Sequence, residues 1–320
     1  MITHKTFPNH HIFETEIGGR TFTVETGKVA ELTNGECICR YGDTVVLTTV
    51  VASPVPKTGT DYFPLTIEFE ERMYAVGRIP GSFNRREGKP SEKGILASRI
   101  IDRPMRPFFD DELRNDVVIT CTVLANDTDN PVEVVASLGA FIATAYSDVP
   151  WNGPMGTTEV AMTEAGEYII NPSDEQREAA KLFCTITSTS EKVVMIETEA
   201  NECTEEQLMK AIELADNTNK KIVEFINGIN IDVAFIVPSG ISGRNGLTSG
   251  NYIECELKKT IVNKARKVVV LMDASKLDKT LPYTFCSIDE VDTIITDDEL
   301  SYDVQKKAQE NGVQVIIANG

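Results

Sequence analysis

Phosphate oxygens are best met by arginine, whose planar guanidinium offers forked N–H donors, and unpaired bases by an exposed aromatic ring. One stretch of the 320-residue chain combines the two. It reads Gly77-Arg78-Ile79-Pro80-Gly81-Ser82-Phe83-Asn84-Arg85-Arg86-Glu87-Gly88-Lys89-Pro90-Ser91-Glu92, followed by Ser98-Arg99-Ile100-Ile101-Asp102-Arg103-Pro104-Met105-Arg106. Glycine and proline mark the first part as an exposed loop. Phe83 beside Arg85 and Arg86 is the combination that single-stranded nucleic acid requires. Arg99, Arg103 and Arg106 recur at spacings of four and three, which places them on one helix face as a phosphate-facing stripe. From Arg72 to Arg106 there are nine basic and three acidic side chains, a surplus of six positives in a chain of net charge −18. A solvated basic face, stitched to its own Glu87, Glu92 and Asp102, is the competing reading of the same residues.

The remaining composition narrows the chemistry. The three histidines, at 4, 10 and 11, all precede the first clear strand, so a Ser-His-Asp or Cys-His hydrolase is close to excluded. Seven cysteines, an odd number in a long chain, argue against a disulfide framework and for a reducing cytoplasm. Cys37 and Cys39 alone lie close together, a weak signal for zinc, and no metal site is expected. Asp127 and Asp129 read as a surface loop rather than cation ligands, and Trp151 as a residue packed at a turn. No apolar run reaches the ~18 residues of a membrane span, and the N-terminus has no apolar signal core. An acidic chain as a whole disfavours nucleic acid, but an acidic remainder repels stray polyanions and leaves the basic stretch as one attractive entry.

The elements that must carry these residues follow from local signals. Residues 12–17 and 20–25 alternate around Gly18-Gly19 as a hairpin. Residues 36–40 and 44–52 form a second pair around Tyr41-Gly42-Asp43. Ser91 is an N-cap for a helix presenting Ile95, Leu96, Ile100 and Ile101, and Pro104 is expected to end it. Residues 116–124 form a strand and 131–147 a small-residue-rich helix. Short strands follow near 157–162 and 182–199, and Thr204 with Gln207 forms a capping box for a helix reaching about Asn227. After Gly228 the pattern changes to alternating strands (231–237, 267–272, 291–296, 313–318) and helices (252–265, 301–310), the mark of a parallel sheet. The boundaries expected are therefore 1–228, α+β, and 231–320, a partial α/β domain. A sheet with so few strands is expected to expose an apolar edge.

Residues 10–228 closely resemble the first ribonuclease-PH-like module of bacterial polynucleotide phosphorylases. The likeness runs through Tyr41-Gly42-Asp43-Thr44, Asp61-Tyr62-Phe63-Pro64-Leu65-Thr66, the arginine-rich run, Arg114-Asn115-Asp116-Val117, Asn152-Gly153-Pro154 and Asn171-Pro172. The resemblance implies phosphate-dependent 3′-to-5′ RNA degradation releasing nucleoside diphosphates, with Mg2+ and inorganic phosphate, in a trimeric ring with a central RNA channel. It also implies that the loop grips RNA: the family's Phe-Phe-Arg-Arg reads Phe83-Asn84-Arg85-Arg86 here, one aromatic short. Arg103 and Arg106 match motif arginines near the family's catalytic cleft. The family's phosphorolytic residues belong to its second module, which does not occur in these 320 residues. The expectation is an RNA-contacting part with little or no activity alone, and no catalytic residue is assigned.

The tail resembles part of the effector domain of DeoR-type regulators. The likeness rests on Asp232-Val233-Ala234-Phe235, Ser239-Gly240-Ile241-Ser242, Asp273-Ala274-Ser275-Lys276, residues 288–298 and residues 312–316. It implies a sugar-phosphate site at the carboxyl ends of parallel strands, with Ser239, Gly240, Asp273 and Lys276 as candidates. Turn residues at strand ends are the alternative. A non-catalytic, ring-forming or sugar-phosphate-responsive fusion protein is therefore the second reading of the chain.

Overall fold

The computed structural model describes residues 7, 9–81, 83–228 and 233–318. The chain forms two compact units, 1–227 and 228–320. The expected join, residues 229–230, lies outside the described residues.

In the first unit, β1 (His11–Ile17) and β2 (Arg20–Thr26) form an antiparallel hairpin. Gly18 and Gly19 both take positive φ, 56° and 78°, as a two-residue turn matched to strand twist requires. β3 (Gly35–Tyr41) and β4 (Thr44–Pro56) pair next. β5 (Leu65–Glu71) leads through a 3-10 turn and the arginine-rich loop into α1 (Glu92–Met105). β6 (Asn115–Ala125) then returns between β4 and β5, parallel to β5. The resulting six-stranded sheet has the order β1-β2-β3-β4-β6-β5.

α2 (Val132–Ala145) follows and is buried along almost its whole length. Its small residues allow this: a Cβ on Gly139 would stand 2.5 Å from Thr48 Oγ1. β7 (Gly156–Met162), β8 (Tyr168–Ile170), the short α3 (Asp174–Glu178), β9 (Leu182–Ser188) and β10 (Val193–Ala200) follow. Their strands form an antiparallel sheet of order β10-β9-β7-β8. α4 (Glu205–Gly228) covers its outer side, with Ala211 and Ala215 against Val160, Leu182 and Ile186. The capping box at Thr204 is present in both directions.

Two local expectations need correction. Pro104 lies inside α1, which runs to Met105 and then tightens into a 3-10 turn. Ring closure removes one N–H there, but Pro104 is buried in the last helical turn, where packing outweighs that loss. β5 was not expected at all, although Leu65, Ile67 and Phe69 alternate as a half-buried strand should.

The second unit contains a four-stranded parallel sheet of order β11 (Ala234–Ile236), β14 (Val268–Leu271), β16 (Thr293–Thr296), β17 (Gln314–Ile317). The strands between complete a small antiparallel sheet of β12 (Gly240–Ser242), β13 (Gly246–Ser249) and β15 (Tyr283–Cys286). α5 (Tyr252–Lys264) and α6 (Tyr302–Glu310) are the unit's described α-helices. One row of the parallel sheet, including Ile236, Val270 and Ile294, belongs to the unit's core. The alternate row, with Phe235, Leu271, Ile295 and Ile316, lies outside it, and Phe235 is 66% exposed. The observed fold class is thus α+β in the first unit, followed by a unit built on a parallel sheet. No described helix is long and apolar enough to cross a membrane.

Candidate nucleic-acid interface

The loop at residues 77–90 is pinned at both ends and open between. At one end Glu87 accepts a hydrogen bond from the Met73 N–H at 3.0 Å. At the other, Ser91 accepts from the Gly94 N–H at 2.9 Å, as an N-cap should, and its hydroxyl donates to Glu71. Between these anchors Phe83 is fully exposed. Ile79, Pro80, Gly81, Phe83 and Arg85 line one shallow depression. Arg85 takes a left-handed backbone, φ 47°, at a cost of about 1 kcal/mol for a side-chain-bearing residue. A strained, exposed aromatic-arginine loop is poor for stability, since it buries nothing in return.

The basic stretch divides once ion pairs are placed. Arg72 pairs with Glu70 at 2.5 Å, Lys93 with Glu133 at 3.1 Å, and Arg103 with Glu197. Arg106 is held most firmly. Its Nε and Nη2 donate to both Asp102 carboxylate oxygens at 3.1 and 2.6 Å, and Nη1 and Nη2 donate to the Phe63 and Leu65 carbonyls at 3.1 Å. The expected stripe of Arg99, Arg103 and Arg106 is therefore not one surface of free cations. Arg106 is a clamp between α1 and the start of β5, and Arg103 is bound across to β10. Arg78, Arg85, Arg86, Lys89 and Arg99 make no hydrogen bond or ion pair through their side chains among the described residues, and all five are exposed. Arg78 and Lys89 were not singled out from the sequence, although they stand in the same loop.

The other candidates separate from this surface. Cys37 and Cys39 are fully buried with sulfurs 3.7 Å apart. Their mutual hydrogen bond and then burial hold the Cys37 thiol well above its usual range, so it stays protonated. All seven cysteines are free. Asp127 accepts from the Asp129 N–H and from Asn130 Nδ2 within its own loop. Trp151 Nε1 donates to the Met105 carbonyl at 3.2 Å, and its ring packs on Phe141. Among the described residues no group of three or more His, Cys, Asp or Glu side chains is placed to hold a metal ion.

In the second unit, Ser239 donates its N–H to Thr248, and Gly240 lies within β12, where a Cβ would meet the Lys279 carbonyl at 2.5 Å. The Asp273 carboxylate caps a 3-10 turn by accepting from the Ser275 N–H, and hydrogen bonding from the Ser275 side chain, then from that N–H, holds its pKa down against burial. Asp297 accepts from the neighbouring Ala274 N–H. Lys276 follows Asp273 in that turn. The bridge between Ile241 and Leu277 brings the two candidate segments side by side, but the Asp273 and Asp297 carboxylates accept from backbone N–H groups.

Residues 18–150 match domain 1 of the 3′ exoribonuclease family, and residues 153–218 match its domain 2. The first unit therefore belongs to that family, as a ribonuclease-PH-like module. Among its relatives, its likeness is to polyribonucleotide nucleotidyltransferase, the polynucleotide phosphorylase of bacteria. The chain is 50% identical over 217 residues to that protein of Ruminiclostridium cellulolyticum, covering 68% of this chain and 31% of the relative. It is 42% identical over 257 residues to that of Lachnoclostridium phytofermentans, covering 80% and 35%. The chain thus spans about a third of the length of these relatives. Rice Rrp46 shares the fold at a TM-score of 0.54 and 16% identity, covering 67% of this chain and 95% of that one. A chain of the Archaeoglobus fulgidus exosome, solved with RNA bound to the active site, does so at 0.50 and 18%, covering 68% and 88%. Residues 214–298 match the DeoR C-terminal sensor domain, a match that begins inside α4.

Proposed function

We propose that the first unit holds single-stranded RNA through Phe83, Arg85, Arg86 and Arg99, as the RNA-contacting part of a phosphorolytic 3′-to-5′ exoribonuclease. The observation that carries this is the loop itself: a fully exposed phenylalanine flanked by arginines without internal partners, in a chain of net charge −18. Phe83 would stack on a base while the guanidiniums meet backbone phosphates. Asn84 offers no second ring, so stacking is limited to one platform. Membership in the exoribonuclease family supports inorganic phosphate as the attacking co-substrate and a metal-assisted reaction. No catalytic step is assigned to this chain, and Arg103 and Arg106 contribute to the shape of α1 rather than to RNA contact. Membership in the ribonuclease-PH-like family supports a ring-like assembly, taken here as a homotrimer.

The test combines two measurements. The purified chain is mixed with end-labelled oligoadenylate, magnesium and phosphate. We expect a gel-shifted RNA complex and little or no nucleoside diphosphate. Phosphate-dependent release would place an active site within these residues, and absence of RNA binding would remove the loop's role. Light scattering gives the assembly state, and a monomer counts against the ring. Sugar-phosphate binding by the second unit is not advanced as a second function, because Asp273 and Asp297 sit at the strand ends where an anion would have to enter.

A further inference from the structure

The parallel sheet of the second unit ends on β17, and that edge is left open. Pairing with β16 runs without a register shift, from Gln314 on Thr293 to Ile317 on Thr296. The Gln314 N–H donates to the Asp292 carbonyl at 2.9 Å, and the Ala318 N–H to the Thr296 carbonyl at 2.8 Å. Successive residues of a strand aim their N–H and C=O groups to opposite sides. Residues 314, 316 and 318 therefore serve β16. Val315 and Ile317 aim theirs outward, where no described strand pairs with them. All four residues of β17 are exposed. Sheet edges are ordinarily protected by charge, proline, a bulge or shortness. The first unit follows that rule: its edge strands β1, β5 and β10 carry glutamates, and β8 has three residues. At the opposite edge of the parallel sheet, just past β11, Lys258 Nζ donates to the Val237 carbonyl at 2.6 Å. β17 has no such protection. It is as long as its neighbour β16, and residues 311–319 contain no charged side chain and no proline, in a chain of net charge −18.

We propose that β17 is a docking edge for β17 of a second copy of this chain, the two strands paired antiparallel about a two-fold axis at Ile316. That axis sets Val315 opposite Ile317 of the second copy. These are the residues whose N–H and C=O groups point outward, so each such pair exchanges both hydrogen bonds. Ile316 then faces its own copy as a non-hydrogen-bonded pair, with Cα atoms about 4.5 Å apart. An axis at Val315 would instead bring Val313 into the ladder, but the Val313 N–H is already given to the Ala308 carbonyl at 2.9 Å. The missing charge matters because a two-fold sets identical side chains against each other, where like charges repel. Val315, Ile316 and Ile317, 37%, 40% and 43% exposed, lose water on pairing. A contact this short falls below the ~1,200 Å2 of a standard interface, so the pair is a weak one. β17 lies outside residues 214–298, which match the sensor domain. The inference rests neither on RNA binding nor on a ring built by the first unit.

Ile316→Cys traps the pair in the full chain. Its two thiols fall within disulfide reach across the axis, whereas Gln314→Cys leaves its own more than about 10 Å apart. Each variant is oxidised with copper phenanthroline at about 100 μM protein, a concentration suited to a weak pair, and run on a non-reducing gel. Ile316→Cys should give at least about tenfold more covalent dimer than Gln314→Cys. The wild type, with its seven free cysteines, sets the background. Val315→Pro added to Ile316→Cys removes an outward donor but none of the ladder to β16, and should return the dimer to background. Light scattering should give the wild type twice the mass of Val315→Pro, whatever the first unit assembles by itself. Equal dimer from the two cysteine variants, or a mass that Val315→Pro leaves unchanged, overturns the proposal. A mass that climbs without limit marks open edge-to-edge stacking and overturns it too. Should Val315→Pro not fold, the two cysteine variants decide, since both stand at exposed positions. Loss of the ring alone leaves the mass ratio at two, which separates this edge from the first unit's assembly.

Discussion

Replacing Arg85 and Arg86 together by alanine tests whether the loop's free guanidiniums meet phosphate. Among the described residues, five exposed cations in and beside the loop lack internal partners: Arg78, Arg85, Arg86, Lys89 and Arg99. Each phosphate neutralised on a single strand contributes about −0.7 to the slope of log affinity against log salt. The wild-type slope can therefore reach about −3.5, and the double variant about −2.1. At ~0.1 M salt the lost 1.4 decades amount to about 25-fold in affinity, or ~2 kcal/mol, and the difference should vanish toward ~1 M. Fluorescence anisotropy of labelled oligoadenylate across a salt series reads both slopes. Arg106→Ala is the control, because its donors already serve Asp102 and two carbonyls; its slope should equal wild type. A double variant with the wild-type slope, or an Arg106→Ala slope that falls as far, refutes the reasoning.

Phe83→Ala should weaken RNA binding by about 1–3 kcal/mol with no change in salt slope, since stacking releases no counterions, and it should leave the melting temperature unchanged because the ring buries nothing. Arg106→Ala should cost about 1–2 kcal/mol of stability, read by urea denaturation; the half-exposed guanidinium limits the loss. Glu159→Gln should change the pH profile of melting. The folded carboxyl titrates at about 8, above its unfolded value of 4.5, so the stability it contributes is full below about pH 4.5 and is lost as pH rises through 8. The advantage of the Gln variant should therefore widen from about pH 5 to pH 8, by at most ~1.4 kcal/mol per unit, and a gap that stays flat would contradict a buried neutral acid.

Much of the fold is legible because its signals are local. The Gly18-Gly19 hairpin, the Ser91 N-cap and the Thr204 capping box each depend on a handful of adjacent residues, and each stands where the sequence places it. What escapes is set by distant partners. The strands β12, β13 and β15 are three or four residues long, too short for periodicity to register, and exist because residues 283–286 return to pair with 247–249. Pro104 misleads for a related reason. Local propensity says stop, but burial of α1 against β5 carries the helix one residue further.

The candidate site shows the same division more sharply. Arginine spacing on α1 correctly gives a shared helix, yet whether a guanidinium is free depends on where carboxylates arrive. Glu197 reaches Arg103 from β10, and Glu133 reaches Lys93 from α2, across separations of 94 residues for the first pair. Asp102 reaches Arg106 from one turn away, a contact the i,i+4 spacing does allow. The pairing leaves unbound cations in the loop and on one exposed turn of α1, while the cations deeper in the module are neutralised by its own acids. An acidic chain can therefore attract a polyanion at one place only if that place lacks a carboxylate within reach. Glu87 is the acid inside the loop, and its carboxylate accepts the Met73 N–H rather than pairing with Arg85 or Arg86. That backbone contact both fixes the loop's base and keeps its two adjacent guanidiniums available, which makes Glu87 as much a determinant of the interface as the arginines themselves.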